Sequence, residues 1–146
     1  DVTPDELEGR NKRSALFKTM FLAFRAGGAK DWRSNLTIAL DHSGAQHRLQ
    51  FHHIFPKAVL KSTHTAREVN DIANLAFIGG KTNRAISDKP PSAYLPLLIE
   101  KAGKGPFQAQ CIPTSGELLE LESYKRFLVD RRKRVAQRLN EFLGTQ

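Results

Sequence analysis

The stretch from Ser115 to Leu143 constrains the fold most. Leu121, Tyr124, Leu128, Val135, Leu139 and Phe142 recur there at helical steps. Residues spaced that way share one face, so the stretch predicts a single long amphipathic helix with its stripe on a core. Its middle reads "RRKR", residues 131 to 134, and Arg131 and Arg132 fall where the stripe should continue. Two readings stand. Their stems lie over the core with the charged heads in water, or this turn faces phosphates. Both arginines are therefore candidate nucleic-acid contacts.

The rest of the chain reads as shorter pieces. Thr3, Pro4 and Glu6 form a helix start with a capping box. Leu16, Phe17, Met20, Phe21 and Phe24 continue it as a core-facing stripe, and Gly27-Gly28 stops it. Leu36 to Asp41 and His47 to His52 are strand-like, with "DHSGA" as the turn between them. "AREVNDIAN" predicts a short helix, "NLAFI" (74 to 78) a short strand, and "GGKTNRAISDK" a further helix. A helix is expected from Ser92 to Lys101, with Pro96 in its first turn or kinking it. The expected organisation is one domain over 1–146. It has a helical flank at 3–28, a core at about 36–90 and C-terminal helices at 91–144. The fold class is α+β, mainly helical.

Charge bounds the partners. Lys and Arg number 23 against 15 Asp and Glu, a formal net charge of +8, which points to a polyanion, most simply nucleic acid. Cys111 is the single cysteine, so an internal disulfide and a Cys-rich zinc site are excluded. No apolar run approaches the roughly 18 residues of a membrane span, and a cytoplasmic setting is expected. The chain begins at Asp1 without an initiator methionine. It reads as a piece of a longer protein, whose other domains are expected partners.

The stretch "FHHIFPK", residues 51 to 57, sets two of the five histidines side by side. In a regular strand His52 and His53 point to opposite faces. They serve one site only where the strand ends or bends, and Pro56 suits a chain leaving a strand. Asn74 then opens the second short strand, and Asn83 stands at the start of the next helix. The order is strand, loop, strand, helix, with His, His, Asn and Asn at the junctions.

"FHHIFPK", "NLAFI" and "KTNRAISDKPPSAYL" together resemble the HNH, or ββα-metal, endonucleases. The likeness is nearest to the C-terminal nuclease domain of GmrSD-like restriction proteins, which act in bacterial defence against phage. It covers residues 47 to about 98. The resemblance implies a ββα-metal core of a short antiparallel hairpin and helix, flanked by the N- and C-terminal helices. Carried over by position, it implies His53 as the general base that takes a proton from the attacking water. It implies Asn74 as the residue steadying the loop that carries the base. It implies His52 and Asn83 as ligands of one divalent metal ion. Where many members have Asp and His, this chain has His52 and Asn83. That less anionic pair favours Mn²⁺, Ni²⁺ or Co²⁺ relative to Mg²⁺. Lys57, Lys81 and Arg84 flank the motif as candidate phosphate contacts. The implied substrate is double-stranded DNA, and since one such site cuts one strand, a homodimer is a possible cutting unit. The rival reading is a non-catalytic, basic DNA-binding module that uses the long helix.

Overall fold

A computed structural model describes residues 1–32, 38, 40–43, 46–86 and 88–145; at 40–43, 46–49, 80 and 81 it describes the backbone alone. Thr3 opens the first helix, α1 (Pro4–Leu7), through the complete capping box its sequence predicts. Thr3 Oγ1 accepts from the Glu6 N–H, and the Glu6 carboxylate accepts from the Thr3 N–H. The single helix expected over 3–28 is two. Gly9 turns to φ +76°, a conformation only glycine adopts without strain. Its N–H donates to Asp71 Oδ2 at 2.9 Å. The chain restarts as α2 (Ala15–Ala26) beneath a Ser14 cap. The bond to a residue 62 positions away is what an apolar stripe cannot report. The stripe itself is buried as expected at Phe17, Met20, Phe21 and Phe24.

The hairpin lies later in the chain than its sequence suggests. Strands β1 (Leu40–Ser43) and β2 (Gln46–Leu49) pair antiparallel, from Leu40 opposite Leu49 to Ser43 opposite Gln46. Asp41, His42 and Ser43 are thus strand, not turn. The expected strand residues Leu36, Thr37 and Ala39 lie outside the described residues. The expected strand from His47 to His52 divides. Its end forms β3 (His52–His53), which pairs with β4 (Leu75–Ala76) instead. His52 stands opposite Ala76 and His53 opposite Leu75. Between them run α3 (Lys57–Leu60), α4 (Ala66–Val69) and a 3₁₀ turn at Ile72–Asn74. Asn74 therefore closes that turn rather than opening the strand. After β4 comes α5 (Gly80–Ile86). The order along the chain is strand, two short helices, 3₁₀ turn, strand, helix, and not the strand, loop, strand, helix expected.

Two residues per strand are too few to hold a sheet by themselves. Packing and side-chain clamps hold this one. Leu75 and Phe77 enter one buried cluster with Phe17, Phe21 and Phe24. Ala76 and Ile78 enter the other, with Trp32, Ile54 and Phe55, the alternation expected of an extended segment. Gln110 receives the Phe77 N–H and donates back to the Phe77 carbonyl, both at 2.8 Å, as a neighbouring strand would. Tyr94 donates its hydroxyl to the Ile54 carbonyl at 2.7 Å.

Further along, α6 (Pro91–Ala102) carries Pro96 in its interior, and α7 (Gly105–Gln108) follows. The last helix, α8, is Tyr124–Gly144, shorter at its start than the expected Ser115. Gly116 at φ +94° precedes two 3₁₀ turns, Glu117–Leu119 and Leu121–Ser123, separated by extended Glu120. Leu121 consequently falls off the stripe and is exposed, while Tyr124, Leu128, Val135 and Leu139 are buried.

Arg131 and Arg132 require a correction. They face neither phosphate nor solvent. Arg131 is fully buried. Its guanidinium donates to the carbonyls of Ile72, Ala73 and Leu75 at 3.3, 2.8 and 2.7 Å, and to Gln110 O at 3.0 Å. Burial pulls its pKa down to about 10, so it stays charged at neutral pH. The planar fork collects carbonyls that a 3₁₀ turn and a two-residue strand leave without partners. Arg132 pairs with buried Asp71 at 2.7 Å and with Glu8 at 3.5 Å. Both arginines continue the inner face of α8: the Arg131 head is bonded to carbonyls, and the Arg132 head pairs with carboxylates although its Nε is buried without a partner. At its far end α8 also meets the start of the chain. Asn140 Oδ1 accepts the Val2 N–H at 2.7 Å, and Asn140 Nδ2 donates to the Val2 carbonyl at 2.9 Å.

The fold class is α+β, mostly helical, with small two-stranded antiparallel sheets among the described residues. No helix among them is long and apolar enough to cross a membrane.

Candidate active site

The two histidines of β3 take different partners. His52 is buried, and its Nδ1 lies 2.6 Å from Asn83 Oδ1 on α5. Its ring stands T-shaped to Trp32 and to Tyr94, with centroids 6.0 Å apart in each case. Burial is the main reason its pKa falls to about 4; the bond to Asn83 opposes the fall and the charge of His53 adds to it. At neutral pH His52 is therefore a neutral imidazole, the form that ligates metals.

Asn83 reaches His52 because α5 is anchored. Buried Asp31 accepts the Gly79 N–H through Oδ1 at 2.8 Å and the Thr82 hydroxyl through Oδ2 at 2.7 Å. A carboxylate there satisfies free donors at the start of the helix. Asn83 sits within the helix rather than at its N-cap, so its side chain is not spent on capping. Nothing in the local sequence around Asp31 signals this role.

His53 is half-buried beside the Phe51 ring. Its Nε2 lies 2.9 Å from Asn70 Oδ1. An amide oxygen accepts only, so Nε2 carries the ring proton and Nδ1 keeps its lone pair. Burial lowers the His53 pKa below its ordinary value; the Asn70 bond opposes this, and the Lys57 and Lys12 charges reinforce it. The imidazole is thus held in its basic, unprotonated form.

Asn74 is wholly buried behind the pair. Its Oδ1 accepts the Phe55 N–H at 2.8 Å, and its Nδ2 donates to the Phe55 and Val69 carbonyls, both at 3.0 Å. It ties the chain leaving β3 to the chain entering β4.

His53 opens on a cleft of about 360 Å³ whose lining includes Lys57, Asn70, Phe51 and, from the N-terminal flank, Asn11, Lys12 and Arg13. Lys57 is exposed at the start of α3, and Arg84 is exposed on α5; the side chain of Lys81 lies outside the described residues. Sequence reasoning missed Asn70, Asp31, Lys12 and Arg13, since each reaches the site through long-range packing.

His52 Nδ1 and Asn83 Oδ1 are bonded to each other, and an amide oxygen accepts only, so here Nδ1 carries the ring proton. The other ring nitrogen, Nε2, is buried without a hydrogen-bond partner and keeps the lone pair. Both side chains are neutral and of a type that ligates divalent ions; holding an ion through Nδ1 would require the ring proton to pass to Nε2. Among the described residues no group of three or more His, Cys, Asp or Glu could hold a metal.

Comparison with curated proteins finds an uncharacterised protein of Methanocaldococcus jannaschii, MJ0686, 33% identical over 78 residues. The match takes in 52% of this chain and 13% of that protein's length. No protein-family model matches the chain, and no solved structure matches it.

Proposed function

We propose that this chain is an HNH-type, metal-dependent endonuclease that hydrolyses phosphodiester bonds in double-stranded DNA, one strand per site. The carrying observation is the His52–Asn83 bond on one face of β3, with His53, the next residue, opening on a basic cleft on the other. In this reading His53 receives the proton of the attacking water at Nδ1, while Asn70 holds Nε2–H and thereby the orientation of the ring. Asn74 fixes the loop, so that the base and the donor pair keep their spacing. His52 and Asn83 would hold one divalent ion, which when bound neutralises charge developing on the phosphate and its leaving oxygen. Bacterial restriction of phage DNA, the setting implied by the GmrSD-like resemblance, is part of the proposal, as is a homodimer for cutting both strands. The rival binding module cannot use Arg131 and Arg132, which are engaged inside the protein, but it keeps Lys125, Arg126, Lys133 and Arg134 exposed on the long helix.

The test is nicking of a supercoiled plasmid by the wild type and by His53→Ala, with Mg²⁺, Mn²⁺, Ni²⁺ or EDTA. Nicking that requires metal and vanishes in the variant is expected. Equal nicking by both proteins refutes His53 as the base. DNA binding with no nicking under any metal favours the non-catalytic module.

A further inference from the structure

We propose that the turn at residues 11–13 is a DNA-gripping element: Lys12 and Arg13 join Lys57 in holding the phosphates of a strand laid in the His53 cleft. The inference rests on the nuclease reading of that cleft.

The lining of the cleft is the first ground. It combines Lys12, Arg13 and Lys57 with no carboxylate. Three other described grooves each carry carboxylates. One has Glu8, Glu68 and Asp71 beside its arginines, another Glu100 and Glu120, a third Asp130. The second ground is pairing. Among the described residues Arg126, Arg132, Arg134 and Arg138 each meet a carboxylate, whereas Lys12, Arg13 and Lys57 enter no ion pair. Cations gathered without counter-charge repel one another, and a polyanion relieves that repulsion while releasing its own counterions.

Position is the third ground. The Lys12 ammonium lies 5.4 Å from the centre of the Phe51 ring, and that ring is 6.1 Å from the His53 ring. The charge thus sits on the wall next to the base. The turn is also held in place. Asn11 Oδ1 accepts the Arg13 N–H at 2.9 Å, and the Asn11 carbonyl accepts the Ser14 N–H at 3.0 Å. The Arg10 carbonyl accepts the Ile72 N–H at 2.8 Å, which binds the turn to the segment leading into β4. A strand bound here meets cations whose backbone is already ordered. The three side chains are exposed and come from two separate segments, an arrangement that suits consecutive phosphates better than one small anion.

The experiment measures fluorescence anisotropy of a labelled DNA duplex in EDTA across a salt series, in a His53→Ala background so that nothing is cut. Adding Lys12→Ala with Arg13→Ala is expected to weaken binding and to reduce the slope of log K against log salt by about 2. The control, Lys101→Ala with Lys104→Ala, removes the same charge outside the cleft and is expected to leave the slope nearly unchanged. Thermal melts of each protein check the fold. Equal slopes for the parent and the Lys12/Arg13 variant overturn the inference. So does an equal loss in the control, absence of salt-dependent binding by the parent, or displacement of DNA by inorganic phosphate at constant ionic strength beyond the effect of chloride. Plasmid nicking separates the two readings. A reduced slope without nicking by the wild type keeps the grip and removes the nuclease. Metal-dependent nicking with an unchanged slope does the reverse.

Discussion

Asn74 holds both polar groups of Phe55: its side-chain oxygen takes the N–H at 2.8 Å and its side-chain nitrogen gives to the carbonyl at 3.0 Å. The amide imitates one more residue of sheet where the two-residue strands run out. Asn74→Ala leaves these groups, and the Val69 carbonyl, buried without partners. The expected loss is about 2–4 kcal/mol in urea unfolding, together with loss of nicking. Wild-type stability in the variant would show the amide to be dispensable.

His52 makes the folded state acid-sensitive. Its pKa is about 4 in the fold and near its ordinary 6.5 in the unfolded chain. Between those values the unfolded chain binds the proton and the folded chain does not, so stability falls as pH drops from 6.5 towards 4. The full contribution is about 3 kcal/mol. Urea midpoints in EDTA at pH 7 and pH 5 should fall further for the wild type than for His52→Gln. An equal fall in both would contradict the assignment.

Asn70 sets the tautomer of His53. In the neutral protein ¹⁵N NMR should find the His53 proton on Nε2, and Asn70→Ala should mix the two tautomers. The variant is expected to nick about tenfold more slowly or worse while binding DNA with unchanged affinity. A pure Nε2–H signature in the variant would mean that another group orients the ring.

On the proposed reading, the neutral pair His52 and Asn83 sets the metal preference. Wild type is expected to nick at lower Mn²⁺ than Mg²⁺ concentration. Asn83→Asp adds a carboxylate oxygen at the same place and should shift the Mg²⁺ requirement to lower concentration. Titrating both metals against nicking rate checks this; equal requirements for Mg²⁺ and Mn²⁺ in the wild type would sink it.

Local chemistry was legible in the sequence and long-range chemistry was not. The Thr3–Glu6 capping box lies within a short window, as do the extended pieces at His52–His53 and Leu75–Ala76, whereas their pairing with each other spans two helices and a 3₁₀ turn. Asn70 and the Lys12–Arg13 turn do not lie within such a window, because tertiary packing alone brings them to the cleft, and packing alone brings Asp31 to the start of α5. The arginines of α8 were misread for a definite reason. Periodicity reports which face a residue occupies, not whether a charged head finds carbonyls there, and Arg131 finds several. The break near Gly9 was hidden in the same way, since the Asp71 carboxylate that captures its N–H is remote in sequence.

The amide of Asn140 grips Val2 as that of Asn74 grips Phe55, and it does so across 138 positions. The backbone is thereby almost a ring. Residues 2 and 140 therefore stand side by side. Covalently joining the ends and reopening the chain elsewhere would change its connectivity while preserving the neighbours of the His52–Asn83 pair.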